Sequence, residues 1–175
     1  DQSAAGTYVE VEGQYVDEVL QVHEMELEED DLEFKGDVES ISATDARDGT
    51  ITLSFGLATG TVEVQVTPDT MFLDDESVNH YDLTSIMMDD KLEIKARLAD
   101  DGLFYASSLH AEDDLGYEIE GPLGSIGDVS ISVLGVEFMI DMNTMFENGI
   151  PGPEDYVEVE DDDGDGVADY VEIED

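Results

Sequence analysis

The chain has 175 residues, 41% of them hydrophobic, with 48 Asp and Glu against 5 Lys and Arg, a formal net charge of −43 and no cysteine. That balance excludes nucleic acid as a partner, because phosphate binding needs a patch of Lys and Arg, and it disfavours an anionic membrane surface. Without cysteine there is neither a disulfide framework nor a thiolate site.

The apolar fraction is sufficient for a real core, and the alternation described below is too regular for a disordered acidic chain. A self-repelling surface of this sign suits high-salt surroundings, as in a halophilic or marine bacterium, or cations held as counter-ions. No apolar run approaches 18 residues, so no transmembrane segment is expected. The chain opens at Asp1 without Met, which predicts an upstream segment, such as a signal peptide, removed from it.

Residues 1–6 read as a linker. Tyr8-Val-Glu-Val-Glu12 alternates strictly, as a half-buried strand does, and Leu20 to Leu27 follows as its hairpin partner. The acidic run Glu28 to Asp31 is a boundary. Five strands are then predicted: Phe34 to Ser42, Thr50 to Phe55, Thr61 to Val66, Lys91 to Leu98 and Leu103 to His110. Asp45-Ala-Arg-Asp-Gly49 supplies the first turn, with Asp48-Gly49 as its hairpin signal. Gly56 and Gly60 bracket the second turn, and Asp100-Asp-Gly102 joins the last two strands. Pro68 donates no hydrogen bond, so Thr67 to Thr70 leaves the ladder. Met71 and Phe72 are expected to dip back as a plug, and Asp82 to Met88 to make a helical turn.

The same order returns from Tyr117, with Gly127-Asp128 and Leu134-Gly135 as turns. Glu33-Phe-Lys-Gly-Asp-Val-Glu-Ser-Ile41 reappears as Glu118-Ile-Glu-Gly-Pro-Leu-Gly-Ser-Ile126, and Val66-Thr-Pro-Asp-Thr-Met-Phe72 as Ile140-Asp-Met-Asn-Thr-Met-Phe146. An internal repeat of this kind sets the architecture. The expected fold is all-β, as tandem small five-stranded OB-like barrels. Residues 1–31 are read as a linker and the closing hairpin of a truncated repeat, 32–115 as the first full barrel and 116–175 as the second. An isolated hairpin is marginal in water, so Val9, Val11, Val22 and Met25 predict packing on a neighbouring barrel or self-association through the N-terminal hairpin.

The series Gly36-Asp-Val-Glu-Ser-Ile41, Asp48-Gly49, Val66 to Phe72, Leu92-Glu-Ile-Lys95, Asp101-Gly102 and a final strand ending in acids resembles the domain of unknown function DUF5666. The resemblance spans a partial copy and two full ones. It implies a β-barrel fold and an exported setting, whether periplasmic, outer-membrane lipoprotein or extracellular. It implies no activity.

Asp161-Asp-Asp-Gly-Asp-Gly-Val-Ala-Asp-Tyr-Val-Glu172 has calcium-loop spacing. Asp161, Asp163, Asp165, Asp169 and Glu172 stand at positions 1, 3, 5, 9 and 12, with Gly166 at the sharp turn and Val167 offering a carbonyl. Calcium is the one cofactor this spacing supports. Against it stands the context: strands rather than helices flank the stretch, so Asp163-Gly-Asp-Gly166 also reads as a plain hairpin turn. A looser site would use Asp161, Asp163 and Asp165 alone. His23, His80 and His110 are dispersed and read as surface or structural residues, and carboxylate pairs are too abundant to mark glycosidase chemistry. The expected function is a non-enzymatic cell-envelope or secreted module, structural or binding an unidentified ligand. The alternative is a calcium-stabilised adhesion or scaffold module using residues 161–172.

Overall fold

A computed structural model describes residues 8–16, 19–28, 32–73, 82–112, 115–153 and 155–174, with side chains from residue 32 onward. It divides into two compact units, Asp1–Asp31 and Leu32–Asp175. The first holds an antiparallel hairpin of β1 (Tyr8–Val16) and β2 (Val19–Glu28), with Tyr8 opposite Glu28, Glu10 opposite Glu26 and a register shift between Glu12 and Gly13. The side chains of Val9, Val11, Val22 and Met25, on which the packing expectation rested, lie outside the described residues.

The second unit is built of β3 (Leu32–Asp45), β4 (Asp48–Ser54), β5 (Thr61–Val66), β6 (Met71–Leu73), β7 (Lys91–Leu98) and β8 (Phe104–Glu112), followed by β9 (Tyr117–Ile126), β10 (Ser130–Val133), β11 (Val136–Met139), β12 (Met145–Glu147), β13 (Tyr156–Asp161) and β14 (Tyr170–Glu174). The all-β expectation holds. β3 pairs with β4, β4 with β5, β5 with β8 in parallel, β8 with β7, and β7 again with β3. That circuit closes a five-stranded barrel, with β6 added in parallel to β8.

The second half repeats the order: β9 with β10, β10 with β11, β13 with β9 and β14, and β12 in parallel with β14. Its last side is thinner. The β11 edge meets the approach to β14 through one bridge, Met139 to Val167, where Met139 N–H donates to Gly166 O at 2.8 Å and Ala168 N–H to Met139 O at 2.8 Å.

The strands follow from alternation. In β5 and β13 every second residue is buried, as are Ile51 and Leu53 of β4, which the two-residue strand period turns into one apolar face. Phe34, Ile51, Leu53, Phe55, Ile94 and Leu109 of the first half pack in one continuous core with Ile119, Phe138, Val159 and Val171 of the second. The halves are stitched by β3 and β9, with Phe34 opposite Ile119 and Lys35 opposite Glu118, and by a bridge from Thr59 to Glu137.

Gly36 explains part of the repeated phrase: a Cβ there would stand 2.8 Å from Ser54 O. Its counterpart Gly121 makes room for Leu134, whose side chain a Cβ would meet at 2.7 Å. Leu134 holds φ 50° at the turn with Gly135, so the missing side chain of one residue accommodates the strained turn of another.

Several local expectations change. The first hairpin turns at Ala46-Arg47, inside the expected 45–49 turn but ahead of its Asp48-Gly49 signal, because Asp45 Oδ1 accepts from Arg47 N–H at 2.8 Å and organises an Asx turn there. Gly49 sits in β4, where a Cβ would lie 2.6 Å from Ser42 O. Residues 82–89 form hydrogen-bonded turns and no helix, with Leu83 and Ile86 buried. Of the expected plug, Phe72 and Phe146 pack against the core, whereas Met71 and Met145 are 59% and 62% exposed, since neighbours on a strand face opposite sides.

Candidate functional site

The segment from 162 to 169 is longer and more ordered than the tight turn that the strand register suggested. β13 ends at Asp161 and β14 starts at Tyr170, so Val167 and Asp169 stand outside the ladder. Asp161 is fully buried and organises the segment: Oδ1 accepts from Gly164 N–H and Oδ2 from Gly166 N–H, each at 2.8 Å. Burial pushes its carboxyl up, opposed by those two N–H groups and reinforced by the charges of Asp165 and Asp163. Asp163 Oδ1 accepts from Asp165 N–H at 3.2 Å, Asp165 Oδ1 from Val167 N–H at 2.9 Å, and Asp169 Oδ2 from Asp162 N–H at 2.9 Å.

The loop is docked on the first half of the unit. Leu57 N–H donates to Gly164 O at 3.0 Å, and a Cβ on Gly164 would lie 2.6 Å from the Tyr117 ring. Tyr117 O–H donates to Asp37 Oδ2 at 2.7 Å, and the Lys91 ammonium lies 3.2 Å from its ring centroid and 3.5 Å from Asp37 Oδ1. Desolvation, then the Asp37 hydrogen bond, pushes the Tyr117 phenol up to about 12. A half-buried cation thus braces the wall against which an acidic loop rests.

Of the six residues with calcium-loop spacing, three converge. One carboxylate oxygen each from Asp161, Asp163 and Asp169 lie within 4.8 Å of one another. Asp165 belongs to no such group among the described residues; its Oδ1 accepts from Val167 N–H. Glu172 stays in β14, opposite Glu158, and gathers with Glu158 and Glu174 instead. Of the looser set Asp161, Asp163 and Asp165, the first two come together, and Asp169 rather than Asp165 is the third carboxylate to reach them, because the chain folds back before β14 begins.

Two further constellations went unread in the sequence. Glu118, Glu158 and Glu160 share one outer face, where Glu118 is directly opposite Glu160 and Glu120 opposite Glu158. Burial first, then Glu33 and Glu160, pushes Glu118 up to about 7. Burial, a hydrogen bond with Glu160 and the charge of Glu118 push Glu158 up to about 8. On the first half, Glu93, His110 and Glu112 gather, with His110 Nδ1 2.8 Å from Glu112 Oε1. The visible signal was His110-x-Glu112 on a strand, which puts both on one face. The partner Glu93 required the β7–β8 register. His23 lies on β2, without a described side chain, and His80 lies outside the described residues.

Open grooves of about 480 Å³ and 420 Å³ are lined by the Arg97–Asp101 turn with Tyr105, and by Lys35, Tyr117, Glu118, Glu160 and Asp162. Among the described residues no helix is long and apolar enough to cross a membrane. The family model described as "Domain of unknown function (DUF5666)" matches residues 35–110 and again 120–172. No curated protein and no solved structure matches the chain.

Proposed function

The chain belongs to the DUF5666 family, and on that premise we propose that it is a non-enzymatic structural module of the cell envelope or the extracellular space, acting as a spacer in an array of such copies. The observation that carries this reading is the joint between the copies. Their apolar residues form one core, and β3 pairs with β9 across the boundary, so the two halves resist bending as a single body. We read the β1–β2 hairpin as the closing hairpin of a further copy; the likeness of its pairs Tyr8–Glu28 and Glu10–Glu26 to the β13–β14 pairs Tyr156–Glu174 and Glu158–Glu172 supports that reading. Chemical denaturation monitored in each half tests the spacer. One shared transition for both halves is expected; two well-separated transitions would mean a flexible pair and would remove the reading.

A second reading, favoured by the convergence of Asp161, Asp163 and Asp169 in a docked loop, is that calcium stiffens the module. The ion would join the loop to β13, with the Val167 carbonyl and water completing a shell of six to eight oxygens. Thermal melts in monovalent salt and in calcium test it, since a ligand of the folded state raises the midpoint. Calcium is expected to act at about a hundredth of the monovalent concentration, reversed by chelator and lost in Asp163→Ala. A rise that any salt produces equally, saturating at high ionic strength, would reduce the effect to screening.

A further inference from the structure

We propose that Glu93, His110 and Glu112 form a binding site for a borderline divalent cation of the zinc class on the outer face of β7 and β8. His110 and Glu112 are two residues apart on β8 and so share a face, and Glu93 is the residue paired opposite His110. One donor atom from each lies within 4.8 Å of the others. His110 and Glu112 are 24% and 20% exposed at their side chains, open enough for an ion to enter and enclosed enough to hold one.

The donor set selects the ion. Three donors, one of them an imidazole nitrogen, are too few and too soft for calcium, which takes six to eight oxygens. They match the three protein ligands to which zinc adds a water. Charge agrees: Glu93 and Glu112 set two carboxylates beside one imidazole, the sign and number of charges that a divalent ion balances.

The constellation also recurs. Glu158, opposite Glu172, with Glu174 two residues on, occupies the same register in the second copy, and these three again bring their oxygens within 4.8 Å. The copies differ at one donor: an imidazole in the first, a carboxylate in the second. Nitrogen-dependent selectivity therefore belongs to the first copy.

Calorimetric titration of the full chain with Zn²⁺, in high sodium chloride and excess Mg²⁺ to occupy the diffuse acidic background, reads the proposal. One saturable site is expected, weakened by about tenfold or more in His110→Gln and in Glu93→Gln, and unchanged in His23→Gln/His80→Gln. Unsaturable uptake, or equal binding in folded His110→Gln, overturns it. Should His110→Gln fail to fold, Cu²⁺ paramagnetic resonance of His23→Gln/His80→Gln decides: His110 is then the one imidazole left, and a spectrum without nitrogen coupling overturns the site.

Discussion

Raising the pH from 5 to 8.5 should destabilise this protein, and Glu158 should carry a measurable share of the effect. Glu118 and Glu158 keep their protons up to about 7 and about 8 in the folded state, whereas an unfolded glutamate releases its proton near 4.3. Between those values the folded chain binds more protons than the unfolded one, so stability is full below the unfolded value and falls as pH rises through the folded values. Taken at face value each shift would be worth several kcal/mol. Both groups sit on a sheet face that water reaches, and screening reduces the contribution to about 1 kcal/mol apiece.

Two such groups correspond to a fall in melting temperature of about 4–8 °C for a unit of this size. The charge of Glu118 is one of the causes that raise Glu158, so the two titrations are linked and the loss should be spread over the whole range. Calorimetric melts at fixed high salt, which suppresses the general repulsion of a −43 chain, should show the fall. Glu158→Gln, which presents a neutral amide at every pH, should flatten it by about half. A midpoint that is constant or rises from pH 5 to 8.5, or a Glu158→Gln slope equal to the parent's, would refute the assignment of those protons to the β9–β13 face.

Two other changes probe the frame. Gly36→Val should cost about 2–3 kcal/mol, because the new side chain meets the Ser54 carbonyl, which the ladder holds in place; urea denaturation reads it as a lower midpoint at unchanged slope. Asp161→Ala should cost about 2–4 kcal/mol, since the Gly164 and Gly166 N–H groups lose their acceptors. Asp161→Asn should recover part of that, and equal melts for Ala and Asn would argue that the carboxylate does not organise the loop.

Much of the architecture was legible in the sequence, because strand alternation and turn chemistry are local. Val62, Val64 and Val66 are buried in β5 as their spacing required, and the repeated phrases at Gly36 and Gly121 each mark a place where a neighbour leaves no room for a Cβ. The calcium-loop stretch was legible as a set of acids, but its membership was not. Whether Asp165 or Asp169 joins Asp161 depends on where the chain turns back, and that is decided by Leu57, Tyr117 and Met139 holding the loop from outside. The Asx turn at Asp45 likewise displaced an Asp-Gly signal, because Gly49 was needed where Ser42 comes close.

Composition and period alone determined that this chain is acidic, all-β and repeated, since charge is a sum and alternation is a property of neighbours. Tertiary structure alone decided that the copies share a core through Phe34 and Ile119, that Lys91 lies over the Tyr117 ring, and that Glu93 meets His110 while Glu118 meets Glu160. Those contacts join residues far apart in sequence. Strand register sets them, and register emerges only when the apolar faces of distant strands are buried together.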